Sequence, residues 1–146
     1  MLITIDTSVF ISRLSGLEEG HGSSRRFLQA LPGRPAIVVL PTLIRPEISG
    51  AMRRRTGSVV VAEKSLGLLD LLPNLNLITL DERLATEAAA LAAAGGLKGS
   101  DAVFVAVAQR FDAVLVSLDR HQRLHCPPSV RALTPEEAAD EVEGLT

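Results

Sequence analysis

Short apolar runs alternate along the chain with longer segments in which apolar residues recur every three or four positions. Leu2 to Ile5 reads as a first buried strand, Ala36 to Leu40 as a second, Leu75 to Leu80 as a third and Ala113 to Leu118 as a fourth. Val130 to Leu133 adds a short last one. A helix is expected from Thr7 to about Ser15, with Val9, Phe10 and Leu14 on one side. The loop Gly16 to Gly22 breaks it, and a second helix from Ser23 carries Arg25 and Arg26 and closes near Leu31-Pro32-Gly33. A third helix covers Thr42 to about Arg55, where Pro46 removes a backbone donor and is expected to kink or loosen the first turns. Ser58 to Leu72 reads as a fourth helix, too apolar to leave a clean solvent face, hence fully covered or part of an interface. Asp81 caps a helix whose Leu84, Ala85, Ala88, Leu91 and Ala92 keep helical spacing, and Ser100 and Asp101 start the next one. A short helix follows Asp119, and Thr134-Pro135-Glu136-Glu137 has the form of a capped terminal helix.

Strands separated by one or two helices specify a parallel sheet covered on both faces, with right-handed crossovers. The expected class is therefore α/β, a three-layer α/β/α sandwich with four to five central strands. At 146 residues the chain suits one domain, 1–146, with one site. Hydrophobic content of 47% argues against disorder. No apolar run is long enough to span a bilayer, and the N-terminus lacks signal-peptide features, so a soluble, cytoplasmic protein is expected. The single Cys126 cannot form an internal disulfide.

The net charge of -2 conceals an asymmetry. Glu136, Glu137, Asp140, Glu141 and Glu143 crowd the last residues, and without them 15 basic residues face 12 acidic ones. Such a body is compatible with an anionic partner. Four Phe and no Trp or Tyr leave little for base stacking, so a nucleic acid would have to be held through its backbone.

Asp6 and Asp119 each stand just after a buried strand, the edge where α/β sheets place their ligands. Asp101 begins the helix that leads into the Asp119 strand, and Glu47 lies in the helix after the second strand. Each has an ordinary explanation, since Asp is a good helix cap and Glu a common solvated helix residue. Together they suggest convergence. Packed carboxylates repel one another, and a hard, oxygen-liganding cation such as Mg²⁺ or Mn²⁺ relieves that repulsion. Arg53, Arg54 and Arg55 are the densest positive charge, with Arg54 two turns beyond Glu47 on the same face. They suit a phosphate contact or, equally, a solvated helix C-terminus. Arg25 and Arg26 form a second bank.

Four stretches in this order, Ile5-Asp-Thr-Ser-Val-Phe10, Arg45-Pro-Glu-Ile48, Gly99-Ser-Asp-Ala-Val103 and Leu115-Val-Ser-Leu-Asp119, resemble a PIN-domain ribonuclease. The resemblance covers nearly the whole chain and extends to VapC toxins, which cut RNA until a cognate VapB-like antitoxin blocks them. It implies catalytic Asp6, Glu47, Asp101 and Asp119, with Asp6, Asp101 and Asp119 as metal ligands. Ser117, with Thr7 or Ser8, would orient the attacking water. It implies metal-assisted hydrolysis of a phosphodiester. A homodimer is expected as well, from the apolar 58–72 segment and from the pairing common among such proteins.

Other readings fit less well. A haloacid-dehalogenase-like phosphatase needs a second Asp where Ser8 stands, and a phosphoacceptor receiver domain needs an acidic pair where Asp6 is followed by Thr7. A PIN-like interaction module without activity, or a PIN nuclease with an RNA-processing role outside toxin-antitoxin systems, remains the alternative. His121 and His125 beside Cys126 have a spacing that zinc can use, but three candidate ligands next to Pro127-Pro128 read better as surface residues.

Overall fold

The computed structural model of the protein describes residues 1–16 and 20–146. Five strands, β1 (Leu2–Ile5), β2 (Ile37–Pro41), β3 (Leu75–Ile78), β4 (Val114–Val116) and β5 (Ala132–Leu133), form one sheet in the order β3-β2-β1-β4-β5. All its pairings are parallel, with Ile3 opposite Val38 on one side and Val114 on the other. The sheet is thus at the upper end of the expected four to five strands. Ile3, Ile5, Val38, Leu40, Leu115 and Val116 are buried at its centre, which is why these strands read as continuous apolar runs.

Eight α-helices are seen among the described residues: α1 (Thr7–Ser15), α2 (His21–Ala30), α3 (Ile44–Thr56), α4 (Val59–Ser65), α5 (Glu82–Gly95), α6 (Gly99–Arg110), α7 (Arg120–Leu124) and α8 (Pro135–Glu143). The core helix is α6. Its residues 102–108 are buried without interruption, because it packs against β1, β2, β4 and α5. No single helix among the described residues is long and apolar enough to cross a membrane. Helix α8 docks on α2, and its capping box at Thr134 and Glu137 is formed as expected.

Three expectations need correction. Helix α3 begins at Ile44, two residues later than expected, so Pro46 falls in the first turn, where a backbone N–H has no intrahelical partner to lose. Pro46 therefore breaks no internal hydrogen bond, and Glu47 follows in regular helix. The 58–72 segment is not one helix. It is α4, capped by the Ser58 side chain, followed by a 3₁₀ turn at Leu66–Leu71. Shortening it leaves Val59, Val60 and Leu71 more than half exposed while Ala62, Leu69 and Leu72 face the core. Finally, α2 starts at His21, inside the expected 16–22 loop, of which residues 17–19 lie outside the described residues.

Candidate active site

Parallel sheets bind ligands where the strand order reverses direction, because the two flanking loops diverge there and leave a crevice. In this sheet the chain runs outward from β1 through β2 to β3 and then returns to β4, so the reversal lies between β1 and β4. Asp6 follows β1 and Asp119 follows β4, one on each side of it. The Asp6 amide bonds the Val116 carbonyl at 2.9 Å and the Leu118 amide donates to Ser8 Oγ at 3.1 Å, which ties the two strand ends together.

A cleft of about 790 Å³ opens at this point, lined by Asp6, Thr7, Ser8, Glu47, Asp101 and Asp119 together with Arg54 and Arg55. Four different segments thus deliver one carboxylate each. Asp6 is almost fully buried; its Oδ2 accepts from the Ser8 amide at 3.0 Å and caps α1, and its Oδ1 accepts from Gln122 Nε2 at 3.2 Å. Asp119 caps α7 by accepting from the Gln122 amide at 3.2 Å. Asp101 stands in the first turn of α6, and Glu47 in the first turn of α3.

Their pKa values report burial first and the neighbouring negative charge after it. Burial pushes the Asp101 carboxyl up to about 6, helped by the negative charges of Asp6 and Asp119 and opposed by Lys98. Burial, reinforced by the Asp6 charge, also raises Glu47, while Thr7, Arg54 and Ser100 pull it back. The Thr7 hydroxyl meets no partner at full hydrogen-bond geometry but lies near enough to Glu47 to favour its charged form. For Asp6 burial dominates and raises the carboxyl, against the hydrogen bonds from Ser8 and Gln122.

The donor set suits a hard divalent cation: it is all oxygen, negatively charged, and held in a state that a cation would relieve. Among the described residues no three His, Cys, Asp or Glu side chains stand close enough to form a closed cation site. The caps hold Asp6 and Asp119 toward their own helices. The same holds for His121, His125 and Cys126, which form no metal cluster; the two imidazoles stack with centroids 4.0 Å apart.

Arg54 shares the Glu47 face as expected, and Gly50 makes room for it, since a Cβ there would stand 3.2 Å from Arg54 Nη1. Gly57, with φ of 71°, ends α3 by donating its amide to the Arg53 carbonyl and so fixes where the triple Arg stops. Not every candidate reaches the cleft. Ser117 is fully buried and its Oγ accepts from the Asp119 amide at 3.0 Å, so it shapes the Asp119 loop instead of facing solvent in the cleft. Arg53 is not among the lining residues. Arg26 is committed elsewhere, paired with Asp140 at 2.7 Å and Glu143 at 2.6 Å, which removes it from a second phosphate bank. Ser100 and Gln122 escaped the sequence reading; Gln122 sits among Arg120, His121 and Arg123, and the segment's one apolar residue, Leu124, is exposed, so nothing there signals burial.

The family model of the PIN domain matches residues 3–125. Solved structures with the same fold include Mycobacterium tuberculosis VapC20, a toxin that cleaves the sarcin-ricin loop (18% identity, TM-score 0.71, covering 88% of this chain and 98% of that one). VapBC2 from Rickettsia felis, solved bound to a fragment of its promoter DNA, is also similar (14% identity, TM-score 0.68, 92% and 98% covered). So is PAE2754 from Pyrobaculum aerophilum (20% identity, TM-score 0.65, 97% and 98% covered). At these identities the likeness speaks for the fold. No curated protein matches the chain in sequence.

Proposed function

This chain belongs to the PIN-domain family, and from that premise we propose that it is a Mg²⁺- or Mn²⁺-dependent endoribonuclease, the toxin of a VapBC-like toxin-antitoxin pair. The observation that carries the reading is the convergence of Asp6, Glu47, Asp101 and Asp119 from four segments on one cleft edged by Arg54 and Arg55. A purely structural set of caps has no reason to share a cleft or to raise one another's pKa.

In this reading Asp6, Asp101 and Asp119 hold the cation and Glu47 completes the acidic pocket. When bound, the cation supplies charge stabilisation at the scissile phosphate and activation of water. The chain's own residues do the rest. Arg54 and Arg55 hold the phosphate backbone beside a pocket that would otherwise repel it. Glu47, made less acidic by burial and by Asp6, is suited to take up a proton at its carboxylate. Thr7 and Ser100 favour the charged form of that group. Bases are not gripped by rings, because Phe10, Phe27 and Phe104 are fully buried and Phe111 packs against the core.

The antitoxin assignment is supported by relatives solved as VapBC pairs, among them VapBC-1 of nontypeable Haemophilus influenzae. A homodimer is supported by the exposed Val59, Val60 and Leu71. The test is cleavage of RNA by purified protein in Mn²⁺ or Mg²⁺, with loss of cleavage in EDTA and in Asp101→Asn. Undiminished cleavage in excess EDTA refutes the reading; a protein that folds, binds RNA and never cleaves it points to the interaction-module alternative.

A further inference from the structure

Gln122 is completely buried, yet it makes contact with three of the four acidic residues' segments. Its Nε2 donates to Asp6 Oδ1 and to the Asp101 carbonyl, each at 3.2 Å, and its backbone amide donates to Asp119 Oδ1 at 3.2 Å. The orientation of the amide is determined by its surroundings: turned over, Oε1 would face a carboxylate and a carbonyl, both acceptors. As it stands, Oε1 is buried without a donor. A half-satisfied buried amide is a poor choice for stability, and an apolar side chain of the same length would fill the space without that cost. What the Gln adds is the connection between the end of β1, the start of α6 and the start of α7.

Within the nuclease reading, on which this inference rests, the structure assigns to Gln122 the part of a positioning residue. Its side chain holds the Asp6 carboxylate in register with the start of α6, and its main chain holds Asp119. It touches the carboxylate at the opposite end from the Ser8 amide, so Asp6 is clamped at both oxygens and cannot swing away from the cleft. Outer-shell partners of this kind orient the ligands they touch, and losing them costs metal sites about 10- to 100-fold in affinity or rate.

The experiment compares wild type with Gln122→Met, which keeps length and apolar packing but cannot donate. Mn²⁺ affinity by calorimetry should fall about 10-fold and kcat by a similar factor, while KM for RNA stays within about twofold. A residue that merely supports the fold would not separate these quantities. Mn²⁺ affinity equal to wild type overturns the assignment. Should the Met variant not fold, Gln122→Leu provides the same comparison. A metal-free double-mutant cycle with Asp6→Ala gives an independent reading: the combined effect on the unfolding constant should fall short of the product of the single effects by at least about threefold. Additive effects overturn the assignment. If wild type takes up no Mn²⁺, the metal reading fails by itself and the cycle decides Gln122 alone.

Discussion

Replacing Asp101 by Asn should stabilise the metal-free protein. The carboxyl moves from an ordinary 3.8 to about 6 on folding, so at pH 7.5 folding forces a charge into a half-buried place facing Asp6 and Asp119. A displacement of that size sets a ceiling of about 3 kcal/mol. Because part of the group is open to water, screening brings the expected gain to about 1 kcal/mol, or roughly 3 °C in melting temperature for a chain of this length. The sign follows from proton binding: the folded state holds this proton more tightly than the unfolded one. Wild type therefore loses stability as pH rises from 3.8 through about 6, and the Asn variant has no such loss. The difference should be full above pH 6 and shrink toward zero near pH 3.8. Mn²⁺ at about 100 times its dissociation constant should add about 2.7 kcal/mol to wild type and little to the variant, which reverses their order. Melting curves in EDTA and in Mn²⁺ at both pH values test all of this. A variant that melts below wild type in EDTA at pH 7.5 refutes the crowding argument and makes Asp101 structural.

Two further outcomes concern the surface. Replacing Arg54 and Arg55 with Ala should weaken RNA binding at every sequence and flatten its salt dependence by a log-log slope of about 0.7 per lost phosphate contact, with single-turnover cleavage spared; an unchanged slope assigns the triple Arg to a solvated helix end. Light scattering at micromolar concentration should give a dimer mass that Val60→Asp reduces to a monomer, and a wild-type monomer would rule out a stable pair through the exposed valines of α4.

The strands were legible because parallel strands buried on both faces need continuous apolar runs, and α6 because a helix in the core does too. What the sequence could not convey is contact between distant residues. Arg26 reads as free positive charge until α8 brings Asp140 and Glu143 to it from more than a hundred residues away. Val59 and Val60 read equally as core or as interface, because hydrophobicity is the same whether the chain or a partner covers it. Pro46 shows how much a boundary matters: two residues of error at the start of α3 turned a first-turn proline into an apparent kink.

The acids themselves show why local pattern and site are different questions. Asp6, Asp81 and Asp119 each follow a strand and each cap the next helix through a backbone amide. By local structure they are equivalent, and capping is a correct description of all three. A carboxylate has a second oxygen, however, so a cap does not use up the group. What separates them is the strand each one follows. Asp81 comes after β3, at the edge of the sheet, and lines a shallow depression with Glu82, Arg83 and Glu87. Asp6 and Asp119 come after β1 and β4, the neighbours between which the strand order reverses. The connection through β2 and β3 places Glu47 and Asp101 at the same opening, and there the four carboxylates line a single cleft. Topology, not capping, therefore distinguishes the candidate metal ligands from a residue whose work is finished once its helix has begun.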